Sequence, residues 1–409
     1  MDINHTKIYI KVENNMYINI ERNVVQVFIR FFRNSKPFEA LNRQIRRELR
    51  WLPSLLIRAL RVLLLTHQFT RKRKRFKREG IGSYLVGPSD GECIFFLRQG
   101  GVKVFNLKKQ SVTTIFDEKS ALPKVEKIIS SSLDAARNEL APKVISWSIE
   151  GRSLEEELIN LNRSSFNLND SQILLNEIFP VLSGISKDSE YKVLQVSEYL
   201  KELKKCLDSL FQTWREYEVE QYGETLQSIE QFCTLNLAKF SDNPGLKRVV
   251  LVKSHGDFWE GNILYDDKRY RVIDWNTLGI RSFYFDFFTL LFMISKKSWN
   301  FQYVNKQGLV DLSNVMDQYF LEFYKIAGRL FSFDDVTNET LKDSLHYRYL
   351  FYIETVILKL EEEDIHCLDE VVTWINRFQT YEDILNEKQN VSKLKGDFYA
   401  TRFHFRHPR

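Results

Sequence analysis

The stretch His255-Gly-Asp-Phe-Trp-Glu-Gly-Asn262, followed shortly by Val272-Ile-Asp-Trp275, decides the fold prediction for this chain. Four residues separate Asp257 from Asn262, and Asp274 lies near the end of the second segment. The residues between them form two short strand-like runs joined by a polar turn, which predicts a β-hairpin. The hairpin would bring Asp274 back beside the loop that carries the other two side chains.

This set of side chains suits phosphoryl transfer from a nucleotide. That reaction asks the protein for positioning, for magnesium across the phosphates and for a carboxylate that accepts the hydroxyl proton. Asp and Asn oxygens are hard ligands of the kind that Mg²⁺ prefers. Gly256 and Gly261 allow the backbone to approach closely on both sides of the loop. The pattern therefore predicts a kinase-type site that uses ATP and Mg²⁺.

The pattern His-Gly-Asp-x4-Asn followed by Ile-Asp-Trp resembles the aminoglycoside phosphotransferase and choline kinase-like family, relatives of protein kinases. A His-Gly-Asp turn alone is common, but its conjunction with the spacing and the hairpin is not. The resemblance covers the helical part of the chain better than the β-rich part, and residues 1–79 lie outside it. It implies an α+β, protein-kinase-like, two-lobed fold with a small antiparallel β lobe and a large helical lobe.

The resemblance also implies roles for individual residues. Asp257 would be the catalytic base, and Asn262 and Asp274 would hold Mg²⁺. His255 would hydrogen-bond within the catalytic loop and support it. Asp286 matches an acidic position that braces the loop from the following helix.

The nucleotide-binding side leaves alternatives open. Family members usually carry a Lys on the third strand of the small lobe, paired with a Glu on a helix. If the strand is Val102–Leu107, the Lys is Lys103. If the strand is Val112–Phe116, the position holds Thr113 or Thr114. Three strands before the helix favour the second alignment.

Other nucleotide contacts are equally open. Glu126 is a candidate for the helix acid, although an exposed helix face explains it as well. Gly100-Gly101 is either a reduced phosphate loop or a plain β-turn. The hinge is expected near Ile149-Glu150-Gly151, where backbone groups at Glu150 and Gly151 would meet adenine.

Charge and hydrophobic patterning divide the chain into four expected parts. Residues 1–79 form a basic, partly helical extension in which Val24–Phe32 is either a strand or an amphipathic helix. Residues 80–151 form the β-rich lobe, with three or four antiparallel strands and one inserted helix. Residues 152–390 form the helical lobe, which begins at the capping box Ser153-Leu-Glu-Glu156. Residues 391–409 form a tail.

Composition and the first residues of the sequence indicate the class of protein and its cellular location. Among 409 residues, 44% are hydrophobic and 28% are charged, as in folded rather than disordered proteins. The four cysteines are scattered, which argues against a disulfide framework or a cysteine metal site. The first residues lack the pattern of a signal peptide, so a cytoplasmic location is expected. The tail histidines, His404 and His407, lack nearby acids or cysteines that would complete a metal site.

The N-terminal extension is strongly basic. Between Arg43 and Arg78, thirteen Lys and Arg residues stand against one acid, Glu48. Leu55–Leu65 is too short and too charged for a transmembrane span. Apolar residues beside cations favour contact with an anionic membrane surface at the inner face of the membrane. Packing against the body of the protein is the second alternative, and nucleic acid is the least favoured partner.

The expected activity is transfer of the ATP γ-phosphoryl group to a hydroxyl of a small-molecule or glycan-type acceptor. A sugar-containing envelope precursor and an amino alcohol such as choline are the two acceptor classes considered. The alternative is a non-catalytic kinase-like scaffold that binds a partner or an anionic membrane. The uncertain Lys motivates this alternative, and the intact set of Asp257, Asn262 and Asp274 argues against it.

Overall fold

A computed structural model describes most of the chain. The described residues are 6–13, 15–34, 36, 54–88, 91–97, 100–164, 166–187, 191–216, 222–243, 245–266, 269–296, 304–330, 346–362 and 366–403. Residues 37–53 of the basic extension and the tail histidines, His404 and His407, lie outside these residues.

The α+β class is confirmed. The strands within the described residues are β1 (Thr6–Lys11), β2 (Met16–Asn19), β3 (Tyr84–Pro88), β4 (Cys93–Phe96), β5 (Val102–Asn106), β6 (Ser111–Ile115), β7 (Val144–Ser148), β8 (Ser153–Glu157), β9 (Asn162–Arg163), β10 (Lys192–Gln195), β11 (Arg248–Ser254), β12 (Ile263–Asp266), β13 (Arg269–Val272) and β14 (Gly279–Ser282).

Helices fill most of the second half of the chain. They are α1 (Val24–Asn34), α2 (Ser54–Glu79), α3 (Leu122–Ala135), α4 (Ser171–Ile173), a π-helical turn (Leu174–Ile178), α5 (Phe179–Ser186), α6 (Val196–Glu216), α7 (Gly223–Ser241), a 3₁₀ turn (Trp275–Thr277), α8 (Phe285–Ile294), α9 (Lys306–Leu330), α10 (Tyr347–Leu360) and α11 (His366–Phe403). Two compact units result, Met1–Ser165 with Asp257–Gly279, and Phe166–Gly256 with Ile280–Arg409.

An eight-stranded antiparallel sheet dominates the first unit, with the order β3-β1-β2-β4-β5-β6-β8-β7. The sequence predicted only three or four strands. The helix predicted to begin at the Ser153 capping box is wrong, because Ser153–Glu157 pairs with β6 on one side and β7 on the other. Pairing on both sides outweighs a local capping signal, which is worth only about 1 kcal/mol.

The N-terminal extension is built into this same sheet. Strand β1 pairs with β2 and β3, and β2 pairs with β4. Val24–Phe32, for which strand and helix were both open, lies in helix α1. The cluster that packs α1 and α2 against the sheet includes Ile18, Phe31, Phe69 and Cys93, all nearly inaccessible to solvent. The extension therefore shares a core with the strands that follow it.

The second unit buries a dense set of aromatic side chains among α8, α9, α10 and α11. Tyr284 and Phe320, for example, have ring centroids 4.4 Å apart, and Tyr352 stacks on Phe378 at 4.2 Å. The buried carboxylate of Glu354, on α10, accepts hydrogen bonds from the amide and hydroxyl of Ser282. Within the described residues, none of the helices is both long enough and apolar enough to cross a bilayer.

Candidate active site

The candidate catalytic loop begins where the buried strand β11 ends. The carboxylate of Asp286, in the first turn of α8, accepts the backbone N–H of His255 at 2.6 Å and that of Gly256 at 2.9 Å. His255 is fully buried, and Gly256 has a positive φ of 85° that favours glycine. Asp286 thus lies where the sequence predicted a brace, and it holds the loop through backbone donors.

Asp257 and Asn262 contact each other within the first unit. The Nδ2 atom of Asn262 donates to the Oδ2 atom of Asp257 at 3.0 Å and to its backbone oxygen at 2.9 Å. The indole of Trp259 donates to the same Oδ2 atom at 3.2 Å. Because its amide nitrogen faces Asp257, Asn262 has its amide oxygen as the atom suited to bind a cation.

Gly261 allows the loop to fold this tightly. A Cβ atom at this position would lie 2.1–2.5 Å from three ring atoms of Trp259, closer than any real contact. The guanidinium of Arg163, on β9, donates to the backbone oxygen of Gly261. The loop is therefore held by contacts with an aromatic ring and a cation, and the sequence alone predicts neither contact.

The hairpin of β12 and β13 returns the chain to the loop, as predicted. The amide of Ile273 donates to the backbone oxygen of Asn262 at 3.0 Å, which places Asp274 just beyond the loop. Asp274 adopts a left-handed conformation with a φ of 67°. Such conformations are uncommon for non-glycine residues and cluster at functional sites. The exposed carboxylate of Asp274 is thus presented by a constrained backbone.

Lys103 reaches Asp274 from the neighbouring sheet strand β5. Its Nζ atom lies 2.7 Å from the Oδ1 atom of Asp274. Burial acts to lower the pKa of Lys103, but the charge and hydrogen bond of Asp274 outweigh burial and raise that pKa. The amine is therefore held in its charged form beside the carboxylate.

Of the two strands considered for this Lys, β6 is the third before helix α3 when β4 is counted first, and it carries Thr113 and Thr114. Lys103 on β5 lies directly opposite Thr114 in the antiparallel ladder. Directly opposed residues lie on the same face of a sheet, about 5 Å apart at Cβ. The lysine therefore reaches the same region from one strand away.

Glu156 is an acidic residue that sequence analysis assigned to a helix start. It lies on β8, on the same sheet face as Lys103, and its charge raises the pKa of Lys103. Loss of hydration raises the pKa of Glu156 to about 6, although the charge of Lys103 opposes this shift. Glu126, the helix acid considered earlier, is exposed on α3. The acid whose charge acts on Lys103 thus comes from a strand, and Ser153–Glu157, with one apolar residue in five, carries no alternation that would have predicted this strand.

Glu150 and Gly151 lie in the exposed turn between β7 and β8, where the amide of Gly151 donates to the Ser148 hydroxyl at 2.8 Å. The expectation that the chain leaves the sheet at this point is wrong, because β8 continues the sheet through Glu157. The exit, and with it any hinge, comes after Glu157. A residue misassigned to a helix therefore displaced the expected hinge by one strand.

Gly100 and Gly101 form a tight turn before β5, with positive φ values of 87° and 88°. A Cβ atom on Gly101 would lie 2.3 Å from the backbone oxygen of Ile115. Backbone conformation and close packing alone thus explain both glycines.

The donor set fits magnesium better than a transition metal. Asn262 and Asp274 offer an amide oxygen and a carboxylate, and the described residues contain no cluster of three or more His, Cys, Asp or Glu side chains that could bind a metal ion. Mg²⁺ is often held by one or two protein oxygens together with substrate phosphates and water. The ammonium of Lys103 beside Asp274 shows that this carboxylate already faces a cation.

Part of this chain matches a known protein family. Residues 193–309, which include the loop and hairpin, match the family described as "Phosphotransferase enzyme family". This match confirms the resemblance inferred from the sequence motif. No curated protein matches the chain.

Several solved structures are similar to this chain at low identity. An ethanolamine kinase from Plasmodium vivax is 13% identical, covering 70% of this chain and 80% of its own, with a TM-score of 0.43. Choline kinase LicA from Streptococcus pneumoniae is 14% identical over 69% and 89%, with a TM-score of 0.43. Aminoglycoside phosphotransferase APH(3'')-Id from Streptomyces rimosus is 16% identical over 63% and 92%, with a TM-score of 0.36.

Proposed function

Because residues 193–309 match the phosphotransferase enzyme family, we propose that the protein transfers the γ-phosphoryl group of ATP to a hydroxyl of a small-molecule or glycan-type acceptor. This proposal rests on the ion pair between Lys103 and Asp274. The pair lies in the same compact unit as Asp257 and Asn262, which are joined by a hydrogen bond. A base, two metal-binding oxygens and a phosphate-binding amine are the parts that phosphoryl transfer requires.

Asp257 is the proposed base. The acceptor oxygen forms a bond to the γ-phosphorus while the bond to the β,γ-bridging oxygen breaks, and ADP leaves. The hydroxyl proton passes to the carboxylate of Asp257. Hydrogen bonds from Trp259 and Asn262 to the Oδ2 atom fix the carboxylate plane. Fixed orientation supports catalysis because the base need not reorganise during the reaction.

Asn262 and Asp274 are the proposed magnesium ligands. Bound Mg²⁺ would neutralise negative charge on the ATP phosphates. The protein's own contribution is to hold two oxygens at the loop and at the hairpin end. The Ile273–Asn262 backbone bond at 3.0 Å couples these two positions, so neither can shift alone.

Lys103 is the proposed phosphate ligand, and Glu156 is proposed to position it. A charged amine beside the proposed metal-binding carboxylate would be suited to bind a phosphate of ATP held by the same metal. The charges of Asp274, at the hairpin end, and of Glu156, on β8, both attract the amine. The two attractions together favour an amine position near both carboxylates.

Phosphate transfer from radiolabelled ATP tests this proposal. The full-length protein with Mg²⁺ would be incubated with amino alcohols, amino sugars and neutral sugars, and labelled products would be separated. Transfer that is lost in Asp257→Asn but kept in Asp208→Asn supports the proposal, since Asp208 is exposed on α6. Absence of both transfer and ATP hydrolysis, with no thermal shift at millimolar ATP, would establish the non-catalytic scaffold instead.

We also propose that the acceptor is met at the cytoplasmic face of an anionic membrane. The basic N-terminal extension supports this location, because clustered Lys and Arg side chains attract anionic lipid headgroups. A glycan-type envelope precursor is the acceptor class that suits such a location, and an amino alcohol is the alternative.

A further inference from the structure

Helix α2 carries one row of exposed side chains along most of its length. The members recur at intervals of three and four residues, so they lie within an arc of about 120° on a helix with 3.6 residues per turn. The row is apolar near the start of the helix and cationic near its end. It consists of Leu56, Leu60, Leu63, Leu64, His67, Arg71, Lys74, Arg75 and Arg78.

The opposite side of α2 is anchored to the sheet. Val62, Leu65 and Phe69 are buried in the core shared with the N-terminal strands. Further along, the Nζ atom of Lys72 donates to the backbone oxygen of Val12 at 2.9 Å. Contacts at both parts of the helix determine its rotation about its own axis. The row therefore faces away from the sheet as a consequence of packing.

The leucines of the row are unusually accessible for large apolar side chains. Leu60, Leu63 and Leu64 are 51%, 53% and 64% exposed. Contiguous exposed apolar side chains mark interaction sites more often than scattered ones do. Helix α1, which packs against α2 through Phe32 and the guanidinium of Arg58, also exposes apolar side chains on its outer face.

We propose that the row on α2 binds the surface of an anionic bilayer, with its leucines among the upper acyl chains and its cations on the lipid phosphates. This inference deepens the proposed membrane location and does not depend on the chemistry of the active site. An amphipathic helix with leucines and cations lies in the plane of the interface, and both parts contribute to binding. A helix anchored on one side by a folded core presents that face without having to fold first.

The arrangement favours lipid over the other partners considered. Nucleic acid would use the cations, but it offers nothing for a row of leucines. A bilayer matches both halves, since its headgroups are anionic and its acyl chains lie a few ångströms below. The row extends for about 33 Å, given a rise of 1.5 Å per residue, which allows both halves to contact one flat surface.

Vesicle flotation tests the inference with the full-length protein. Vesicles of pure phosphatidylcholine and vesicles with a quarter phosphatidylglycerol would be compared at low and at physiological salt. We expect binding to the anionic vesicles that weakens with salt. The triple variant Leu60→Gln, Leu63→Gln, Leu64→Gln should lose at least about tenfold in partition coefficient, because it removes the inserted apolar area.

A charge variant and two matched controls complete the test. Arg71→Gln, Lys74→Gln, Arg78→Gln should lose binding and its salt dependence together. The first control is Leu235→Gln with Leu321→Gln, because these leucines are 54% and 51% exposed in the other unit. The second control changes exposed cations on α6 in the variant Lys201→Gln, Lys204→Gln, Lys205→Gln.

The flotation results either support or overturn membrane binding by the row on α2. The inference is supported if both row variants lose vesicle binding and both controls retain it, provided that thermal unfolding shows that all variants are folded. Equal flotation of wild type and row variants overturns it, as does failure of the wild type to bind anionic vesicles. Asp257→Asn separates this question from catalysis, because that variant should still bind vesicles after phosphate transfer is lost. Vesicle binding by an inactive wild type would leave the lipid surface supported and the proposed activity refuted.

Discussion

The Nζ atom of Lys103, on β5, lies 2.7 Å from the Oδ1 atom of Asp274. Thr114, on the other strand considered for this lysine, is the direct partner of Lys103 in the ladder and is only 5% exposed. The lysine amine that contacts Asp274 thus comes from β5, and β6, the adjacent strand, carries Thr114 opposite it. This relationship can be tested by moving the lysine.

We predict that Lys103→Thr lowers kcat/KM for ATP about a hundredfold or more, through a higher KM, because the phosphates lose a charged ligand. The reciprocal variant Lys103→Thr with Thr114→Lys should recover at least about tenfold of this loss, since both positions lie on one sheet face. Steady-state kinetics over a range of ATP concentrations measures both effects. Thr114→Lys alone is the control and should be less stable, because it places two like charges opposite each other.

If the variant Lys103→Thr with Thr114→Lys folds but recovers none of the lost kcat/KM for ATP, the proposed role of Lys103 is contradicted. Thermal unfolding of each variant is needed beside the kinetics, because Thr114 is buried and its replacement by lysine requires space that the shorter Thr at position 103 must provide.

We predict that Glu156→Gln makes the protein more stable at pH 7.5 and less active. The folded-state pKa of Glu156 is raised to about 6, so its ionised form is disfavoured in the folded protein. Wild-type stability should therefore fall as pH rises from about 4.5 to about 6, and the variant should lack this fall. The gain at pH 7.5 is at most about 2 kcal/mol, because one pKa unit is 1.36 kcal/mol.

Urea unfolding at pH 4 and pH 7.5 measures the stability difference, and KM for ATP measures the loss of lysine positioning. Glu126→Gln is the matched control, because Glu126 is exposed on α3. A variant with unchanged KM would show that Glu156 has only a structural effect. Equal stability of wild type and variant at both pH values would contradict the electrostatic part of this prediction.

We predict that Gly261→Ala lowers kcat about tenfold or more. The added Cβ atom would lie 2.1 Å from the Trp259 ring, so the indole must move and its hydrogen bond to Asp257 must break. Turnover under saturating ATP measures the effect, and tryptophan fluorescence reports the ring movement. Gly223→Ala is the control, since nothing lies within 4 Å of a Cβ atom there.

A Gly261→Ala variant that keeps wild-type turnover while its fluorescence changes would show that the Trp259 contact does not orient the base. In Gly261→Ala with Trp259→Phe, steric strain should be smaller, so stability should recover even where turnover does not.

We predict that Asp286→Ala destabilises the protein by about 3 kcal/mol. The buried carboxylate accepts two backbone donors, those of His255 and Gly256, and each unpaired buried donor costs about 1–3 kcal/mol. Asp286→Asn should cost less, because an amide oxygen can still accept. The free energy of unfolding in urea is the measurement, with Asp208→Ala as the surface control. Equal stabilities of the two Asp286 variants would argue against the brace.

The loop and the hairpin were predictable because their signal is local. The spacing of Asp257 and Asn262, the turn that follows and the later Asp274 are set by short stretches of chain, and together they predict a phosphoryl-transfer site. The resemblance to the family also predicted Asp286, because it stands where that family has an acidic residue after the hairpin. The loop and the hairpin needed only covalent connection and short-range geometry to be placed together.

The strand β8 was missed because its local signal competes with its environment. Ser153-Leu-Glu-Glu156 satisfies the pattern of a capping box, yet the segment pairs with strands on both sides. Such pairing depends on β6, about forty residues earlier, which no local pattern contains. The same error hid Glu156 and shifted the expected hinge.

The sequence by itself determined the loop from His255 to Asn262 and the hairpin that follows it, because residue type and spacing within one short segment decide both. Only the tertiary structure decided which lysine faces Asp274, which acid attracts it and which face of α2 is left exposed. These depend on strand register and helix rotation, and both follow from packing between segments far apart in the chain. Lys103 and Asp274 are 171 residues apart, so their contact exists only after the sheet and the hairpin have formed.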